Sequence, residues 1–355
     1  MSASIPFSPA PFEPSPWLRD AHLQTILAEK LPRPMGRRHE AWRRARREHL
    51  FTLSDGDRLK GHVHLQPGDP DRRRPVVLHL HGLEASVDAP YQRGLSAKAF
   101  AAGFHSVNLN YRNCGDTEQL ARGGYHSGAT EHGVEVLRAL HDEWGFRTLY
   151  VTGISLGANL VLKMLVDAGD EPPRGLAGAA VVSPPIDLAA GGRGLAEPSN
   201  LIYAMYFLLS LKRKMRRKLR LSPGGEELAE RVRGLWRIWT LREFDERFTA
   251  PMGGFRDAAD YYDRASAGPG LDRIRVPTLL VHAQDDPFLP YGMYAERMEA
   301  IARNPYLTTY FPEYGGHVGF LSRPGAALRE PWMDGRWCEN EAIAYLLAVE
   351  AAQVT

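Results

Sequence analysis

A side-chain hydroxyl that attacks a carbonyl needs a turn that presents it, a base within hydrogen-bond reach and an acid that orients the base. Gly153-Ile154-Ser155-Leu156-Gly157 has the form of that turn, with a glycine two residues to either side of Ser155. At such a turn the backbone is strained and crowded, so a Cβ at either flank would collide with the chain. His317 lies in Gly315-Gly316-His317-Val318-Gly319, a loop flexible enough to carry an imidazole over the serine. The candidate acid is Asp286, with Asp285 as its competitor. Asp286 is preferred because it lies one residue deeper in its turn, in an Asp-x-x-x-Pro spacing to Pro290. The oxyanion made by the attack needs two preorganised N–H donors, and the backbone amides of Leu156 and of Leu83, just after His81-Gly82, are the candidates.

The elements that must position these residues alternate. Pro75 to Leu80 reads as an apolar strand, Tyr91 to Ala102 as a helix, Phe104 to Asn110 as a strand and Gly128 to Trp144 as a helix. The strand Thr148 to Thr152 then feeds the serine turn and an apolar-periodic helix, and Gly175 to Val182 is the next strand. Near-continuous apolar strands separated by single helices predict a mainly parallel sheet covered on both faces. Upstream, Glu48 to Leu53 and Arg58 to Leu65 flank an Asp-Gly turn and predict an antiparallel hairpin at one sheet edge. The alternation breaks over 187–250, where helical stretches predict a lid. It resumes with strands Pro277 to His282 and Leu307 to Phe311, a helix from Tyr294 to Ile301 between them, and a last helix from Cys338 to Ala351.

The expected organisation is therefore an N-terminal arm over 1–48, an α/β core over 49–186, a helical insertion over 187–250 and the rest of the core over 251–355. The chain order Ser155, Asp286, His317 is that of the α/β-hydrolase fold and of neither chymotrypsin nor subtilisin. The fold class expected is α/β, an α/β-hydrolase fold with a helical lid.

The 355 residues carry 44% apolar and 24% charged side chains and a formal net charge of +2, the balance of a globular protein with no demand for nucleic acid. Two cysteines, Cys114 and Cys338, are too few for a disulfide framework or a four-ligand zinc site. No run reaches the 18 or so apolar residues of a spanning helix. The Pro- and Ser-rich start lacks a signal-peptide pattern, so a cytoplasmic protein is expected. His62-x-His64 and His79-x-His81 each share a strand face but have no third ligand nearby, and no nucleotide or zinc motif is present, so neither metal nor cofactor is expected. The basic run Arg33 to Arg47 reads as a solvated face. So does Lys212 to Arg220, which could also touch an anionic membrane weakly. Apolar Leu201 to Leu209 would suit an acyl group.

Several motifs in order resemble the YheT-like α/β-hydrolases, whose animal relatives are membrane-associated esterases and lipases. They are His22-Leu23-Gln24-Thr25, His81-Gly82-Leu83-Glu84, Asn110 to Gly115, Tyr125 to Glu131, the serine turn with Asn159, Asp257 to Tyr262, His282 to Phe288 and Gly315 to Phe320. The resemblance implies carboxylic-ester hydrolysis with Ser155 as nucleophile, Asp286 as acid and His317 as base. The partner would then be a small ester or lipid-like substrate of short to medium acyl chain. Ala158, Ala85 and Asn113 stand where the family carries glycine, which bears on loop geometry more than on reaction class. An acyltransferase with the same triad is the alternative, although His126 to Glu131 carries Glu where the H-x-x-x-x-D motif discussed for such relatives has Asp. A non-catalytic binding protein on this fold would not need all three triad residues.

Overall fold

The computed structural model describes residues 5–33, 36, 39–221, 225–324, 326 and 328–354. Its centre is an eight-stranded sheet: β1 (Arg46–Thr52), β2 (Arg58–His64), β3 (Val76–Leu80), β4 (His105–Leu109), β5 (Leu149–Ile154), β6 (Leu176–Val182), β7 (Thr278–Val281) and β8 (Leu307–Tyr310). The strand order is β1-β2-β4-β3-β5-β6-β7-β8. β1 and β2 form the antiparallel edge, β2 is antiparallel to β4, and every later pairing is parallel. All residues of β3 to β7 are buried. This is why their sequences run apolar without alternating: helices cover both faces.

The nine helices that matter below are α1 (Ala21–Lys30), α2 (Pro90–Ala101), α3 (Glu131–Arg138), α4 (Leu156–Ala168), α5 (Leu188–Ala196), α6 (Leu201–Leu221), α7 (Gly225–Arg233), α8 (Ala258–Ala265) and α9 (Trp337–Val354). Adjacent β3 residues point to opposite faces and join different cores. Leu78 packs with Val107 and Leu162, whereas Val77 packs with Tyr150 and Tyr345. The edge strand β1 exposes Arg46, Arg47 and Glu48, charges that discourage pairing with another chain.

Boundaries differ from the sequence expectations at several places, and the helix expected over Tyr294 to Ile301 is two short ones, Gly292–Ala295 and Met298–Arg303. β1 begins at Arg46 rather than Glu48 because its antiparallel register with β2 extends to His64. The helix expected from Gly128 starts at Glu131 and passes into a π turn over Ala139–Glu143. In the insertion, the apolar and basic stretches form one helix, α6, since no proline or glycine interrupts them.

The basic run within the arm is not wholly a solvated face. Arg33 is only slightly exposed and pairs with Glu339 at the start of α9 and with Asp334, while Lys98 of α2 pairs with the same two carboxylates. The arm is further docked by Phe7 on Tyr345 at 5.2 Å and Phe12 on Phe320 at 5.6 Å. Burial raises the Asp334 carboxyl, but Lys98 and Arg33 overcome this and hold it down at about 2.

A carboxylate whose pKa is lowered on folding stabilises the fold above its unfolded value and loses that contribution as pH falls through the folded one. The expected stabilisation is about 2 kcal/mol at neutral pH, disappearing between roughly pH 4 and 2. Urea midpoints of wild type and Asp334→Asn should therefore differ at pH 7 and converge on acidification.

Candidate active site

Ser155 joins β5 to α4 with φ of 53° and ψ of −120°, a region that side chains rarely occupy. The turn closes so tightly that a Cβ on Gly153 would lie 2.4 Å from the Gly157 carbonyl oxygen, and one on Gly157 2.4 Å from that of Leu80. Both flanking glycines are thus required by contact with backbone, which cannot move aside. Asn159, one turn into α4, fixes the surroundings. Its amide donates to the Ser127 carbonyl (3.0 Å) and the Ala265 carbonyl (2.8 Å), and its oxygen accepts from the Ala267 amide.

The three candidate side chains meet at the carboxyl ends of their strands. Ser155 Oγ lies 2.8 Å from His317 Nε2, and His317 Nδ1 lies 2.8 Å from Asp286 Oδ2. The other Asp286 oxygen accepts the amides of Phe288 (2.9 Å) and Leu289 (3.0 Å). Burial raises the Asp286 carboxyl, yet the facing His317, together with His282 and the Phe288 amide, outweighs it and holds the group below the usual range. His282 Nδ1 stands 3.8 Å from Asp286 Oδ2, the oxygen that faces His317, and burial depresses this imidazole to about 4, which keeps it neutral. Asp285 points elsewhere: its Oδ1 accepts the Gly316 amide at 2.8 Å and shapes the histidine loop without touching the ring.

The role of the N-terminal helix was invisible in the local pattern. Thr25 Oγ1 accepts the His317 amide at 2.9 Å, and the Gln24 side chain bonds both the amide and the carbonyl of Leu321. Gly316 packs so closely that a Cβ there would lie 2.4 Å from the Ala21 carbonyl. The motif His22-Leu23-Gln24-Thr25 is a clamp on the loop that carries the imidazole. His22 itself faces α6, stacked on Tyr203 with Nδ1 3.1 Å from the Tyr203 hydroxyl.

Gly82 approaches the serine so closely that a Cβ on it would be 3.3 Å from Ser155 Cβ, which brings the Leu83 segment beside the Ser155 side chain. Leu156 opens α4, where the first amides lack helical acceptors. Leu83, Leu156, Ser155 and His317 line one cavity of about 160 Å³ whose other walls are largely apolar, among them Phe207, Leu211, Met215, Phe244 and Phe248. His126 also lines this cavity. Burial depresses it to about 4, and its Nδ1 accepts the Gly128 amide. Tyr261 and Tyr262 of α8 hold the wall, the first bonding the Ser127 amide and the second donating to Asp245.

Residue 84, next to Leu83, is a glutamate with φ of 54°. Its carboxylate accepts the Tyr125 hydroxyl (2.8 Å), the Ser210 hydroxyl (2.7 Å) and the Lys214 ammonium, the last two from α6. Lys214 also sits 3.1 Å from the Cys114 sulfur and over the Tyr125 ring. Burial pushes the Cys114 thiol up to about 11, so it stays protonated.

Lys218 turns inward as well, donating to Asn113 Oδ1 and the Ala121 carbonyl, and Arg217 pairs with Asp116 and Glu118. The expectation of a solvated basic face over Lys212 to Arg220 is corrected to this extent: the lysines at 214 and 218 pin α6 to the loops beneath it. Asn113, in place of glycine, keeps φ at 63°, a conformation that asparagine tolerates.

Removing one partner of such a buried pair leaves the other charge uncompensated. Lys214→Met should lower stability by roughly 3 to 5 kcal/mol, and adding Glu84→Gln should recover most of it, as read by urea denaturation of the two variants.

Among the described residues no three His, Cys, Asp or Glu side chains are grouped as metal ligands. His79 bonds Thr152 and Ser106 within the sheet, and His81 bonds the Gly82 carbonyl.

A family model of the alpha/beta hydrolase fold matches residues 75–324. The chain belongs to the α/β-hydrolase family. Within that family it is 34% identical over 331 residues to YheT of Escherichia coli (strain K12), a protein named for an inferred esterase activity, covering 93% of this chain and 92% of the relative. It is 28% identical over 283 residues to human phospholipase ABHD3, across 78% of this chain and 66% of that one. Among solved structures, the Pyrococcus furiosus esterase Pf2001 superposes with a TM-score of 0.50 at 18% identity, over 78% of this chain and 85% of that one, and shares the fold. This α/β-hydrolase thus has esterase and lipase homologues.

Proposed function

We propose that this α/β-hydrolase cleaves carboxylic esters of short to medium acyl chain through an acyl-enzyme on Ser155. The observation that carries this reading is the unbroken hydrogen-bond chain from Ser155 Oγ through His317 to Asp286, opening on an apolar cavity.

His317 Nε2 takes the hydroxyl proton as Oγ bonds the ester carbonyl carbon. The Leu83 and Leu156 amides receive the oxyanion, and Asp286 stabilises the imidazolium through Nδ1. His317 then returns the proton to the departing alcohol as the carbon–oxygen bond breaks. A water that loses its proton to His317 attacks the acyl-enzyme, releasing the carboxylic acid and restoring Ser155.

Segment 187–250 is the lid in this reading. α6 forms the roof, its inward side chains Phe207, Leu211 and Met215 facing the acyl chain, and it rests on a small core of its own with Leu228, Leu235, Phe244 and Phe248. The test is labelling with a fluorophosphonate probe, read by intact mass. One adduct on wild type and none on folded Ser155→Ala is the expected result; wild type that resists the probe would remove the activated serine from the account.

A further inference from the structure

We propose that the outer face of α6 is a docking surface for an anionic phospholipid bilayer. The helix shows solvent one stripe, at Ile202, Met205, Tyr206 and Leu209 and then at Arg213, Arg216 and Arg220. These positions recur at three- and four-residue steps and so share one side of the helix. The stripe therefore changes character halfway along, apolar in its first half and cationic in its second. Ile202 is 83% and Tyr206 63% exposed, high values for large side chains of apolar body. The buried positions, among them Leu208, Leu211, Lys214 and Met215, lie on the opposite side.

The patch extends past the helix. Trp236 and Trp239 are 64% and 68% exposed, and Lys212 of α6 lies 5.6 Å from the Trp239 ring centre. On the other flank α1, held to α6 by the His22–Tyr203 stack, exposes Leu23 and Ile26.

A bilayer is the occupant that fits both halves. Apolar side chains enter the boundary between headgroups and acyl chains, arginines meet lipid phosphates, and tryptophans favour the headgroup level. α6 carries no acidic residue. Two copies of this stripe related by a twofold axis would set arginines against arginines if parallel, or against the apolar half if antiparallel, and neither is complementary. Among the described residues no helix is long and apolar enough to cross a membrane, so the contact would be interfacial. The sequence reads Lys212 to Arg220 as a solvated face that could touch an anionic membrane weakly. The structure shifts that contact toward the N-terminus, onto apolar residues that the buried lysines cannot supplement. Since the inner side of α6 lines the cavity, the docked protein would hold its catalytic cavity next to the lipid layer.

The experiment is sedimentation of the full chain with phosphatidylcholine vesicles, with and without phosphatidylglycerol. Wild type should bind the mixed vesicles in preference to the neutral ones. Ile202→Glu with Tyr206→Glu should lower binding at least about tenfold, and each of Arg213→Gln, Arg216→Gln and Arg220→Gln about fivefold. Of the stretch Leu201 to Leu209 only Phe207 lines the cavity, so turnover of a short water-soluble ester and the circular dichroism of these variants should match wild type. Ser155→Ala should bind vesicles as wild type does, so failure of the esterase reading would leave this result standing. Wild type that ignores both vesicles, binding indifferent to the paired glutamates, or a wild-type dimer that those glutamates split would each overturn the proposal.

Discussion

Ser155→Ala should abolish hydrolysis of a short soluble ester, with kcat falling on the order of 10⁶-fold, as when a nucleophilic serine is removed from a triad that acts as a unit. KM should change little, because the cavity walls and both oxyanion amides remain. Some residual rate above water is expected from those amides alone. Stability should stay within about 1 kcal/mol, since alanine keeps the same Cβ at φ of 53° and the turn is held by backbone contacts at Gly153 and Gly157. Initial rates with a chromogenic ester, together with thermal unfolding of the same sample, check both halves. A folded variant that still turned over would show that another group attacks the ester.

The second large effect separates two neighbouring carboxylates. Asp286→Asn should lower kcat about 10⁴-fold, because an amide at this position favours the imidazole tautomer that cannot accept the Ser155 proton. The Phe288 and Leu289 amides would still find an oxygen at position 286, which keeps the turn folded. Asp285→Asn should cost at most about tenfold, through looser placement of the Gly316 loop, since its oxygen accepts a backbone amide and does not meet the ring. Equal losses in the two variants would mean that the acid role is shared. A larger loss at Asp285 would move it there.

These expectations also show which features the amino-acid order carries. The turn at Ser155 is legible because its steric demand is local: five consecutive residues must pass within contact distance of each other and of Leu80, and only glycines at 153 and 157 permit it. The same locality makes the parallel sheet legible, since strands covered on both faces must be apolar at every position. Helix boundaries were less well marked: α6 joins two stretches of opposite character because nothing in them breaks a helix. In the sequence the choice between Asp285 and Asp286 rests on depth in the turn and on spacing to a proline. The geometry distinguishes them by the direction each side chain takes from a shared turn.

Other features depend on segments far apart in the chain, and no periodicity records them. Thr25 reaches the amide of His317 across 292 positions, and Arg33 reaches Glu339 across 306. In both cases a residue that reads as an ordinary helix or charge-run member becomes a support of the C-terminal part of the core. Lys214 and Lys218 sit in a basic run that composition alone would leave in water. The helix register turns these two inward onto Glu84 and Asn113, while Arg213, Arg216 and Arg220 stay outside. By itself the sequence determined the tight turn at Ser155, the parallel α/β core and the order of the candidate triad, because each follows from contacts among near neighbours or from burial. Only the tertiary structure decided which aspartate faces the imidazole, what holds the histidine loop and which side of α6 meets solvent, because those depend on where distant loops converge.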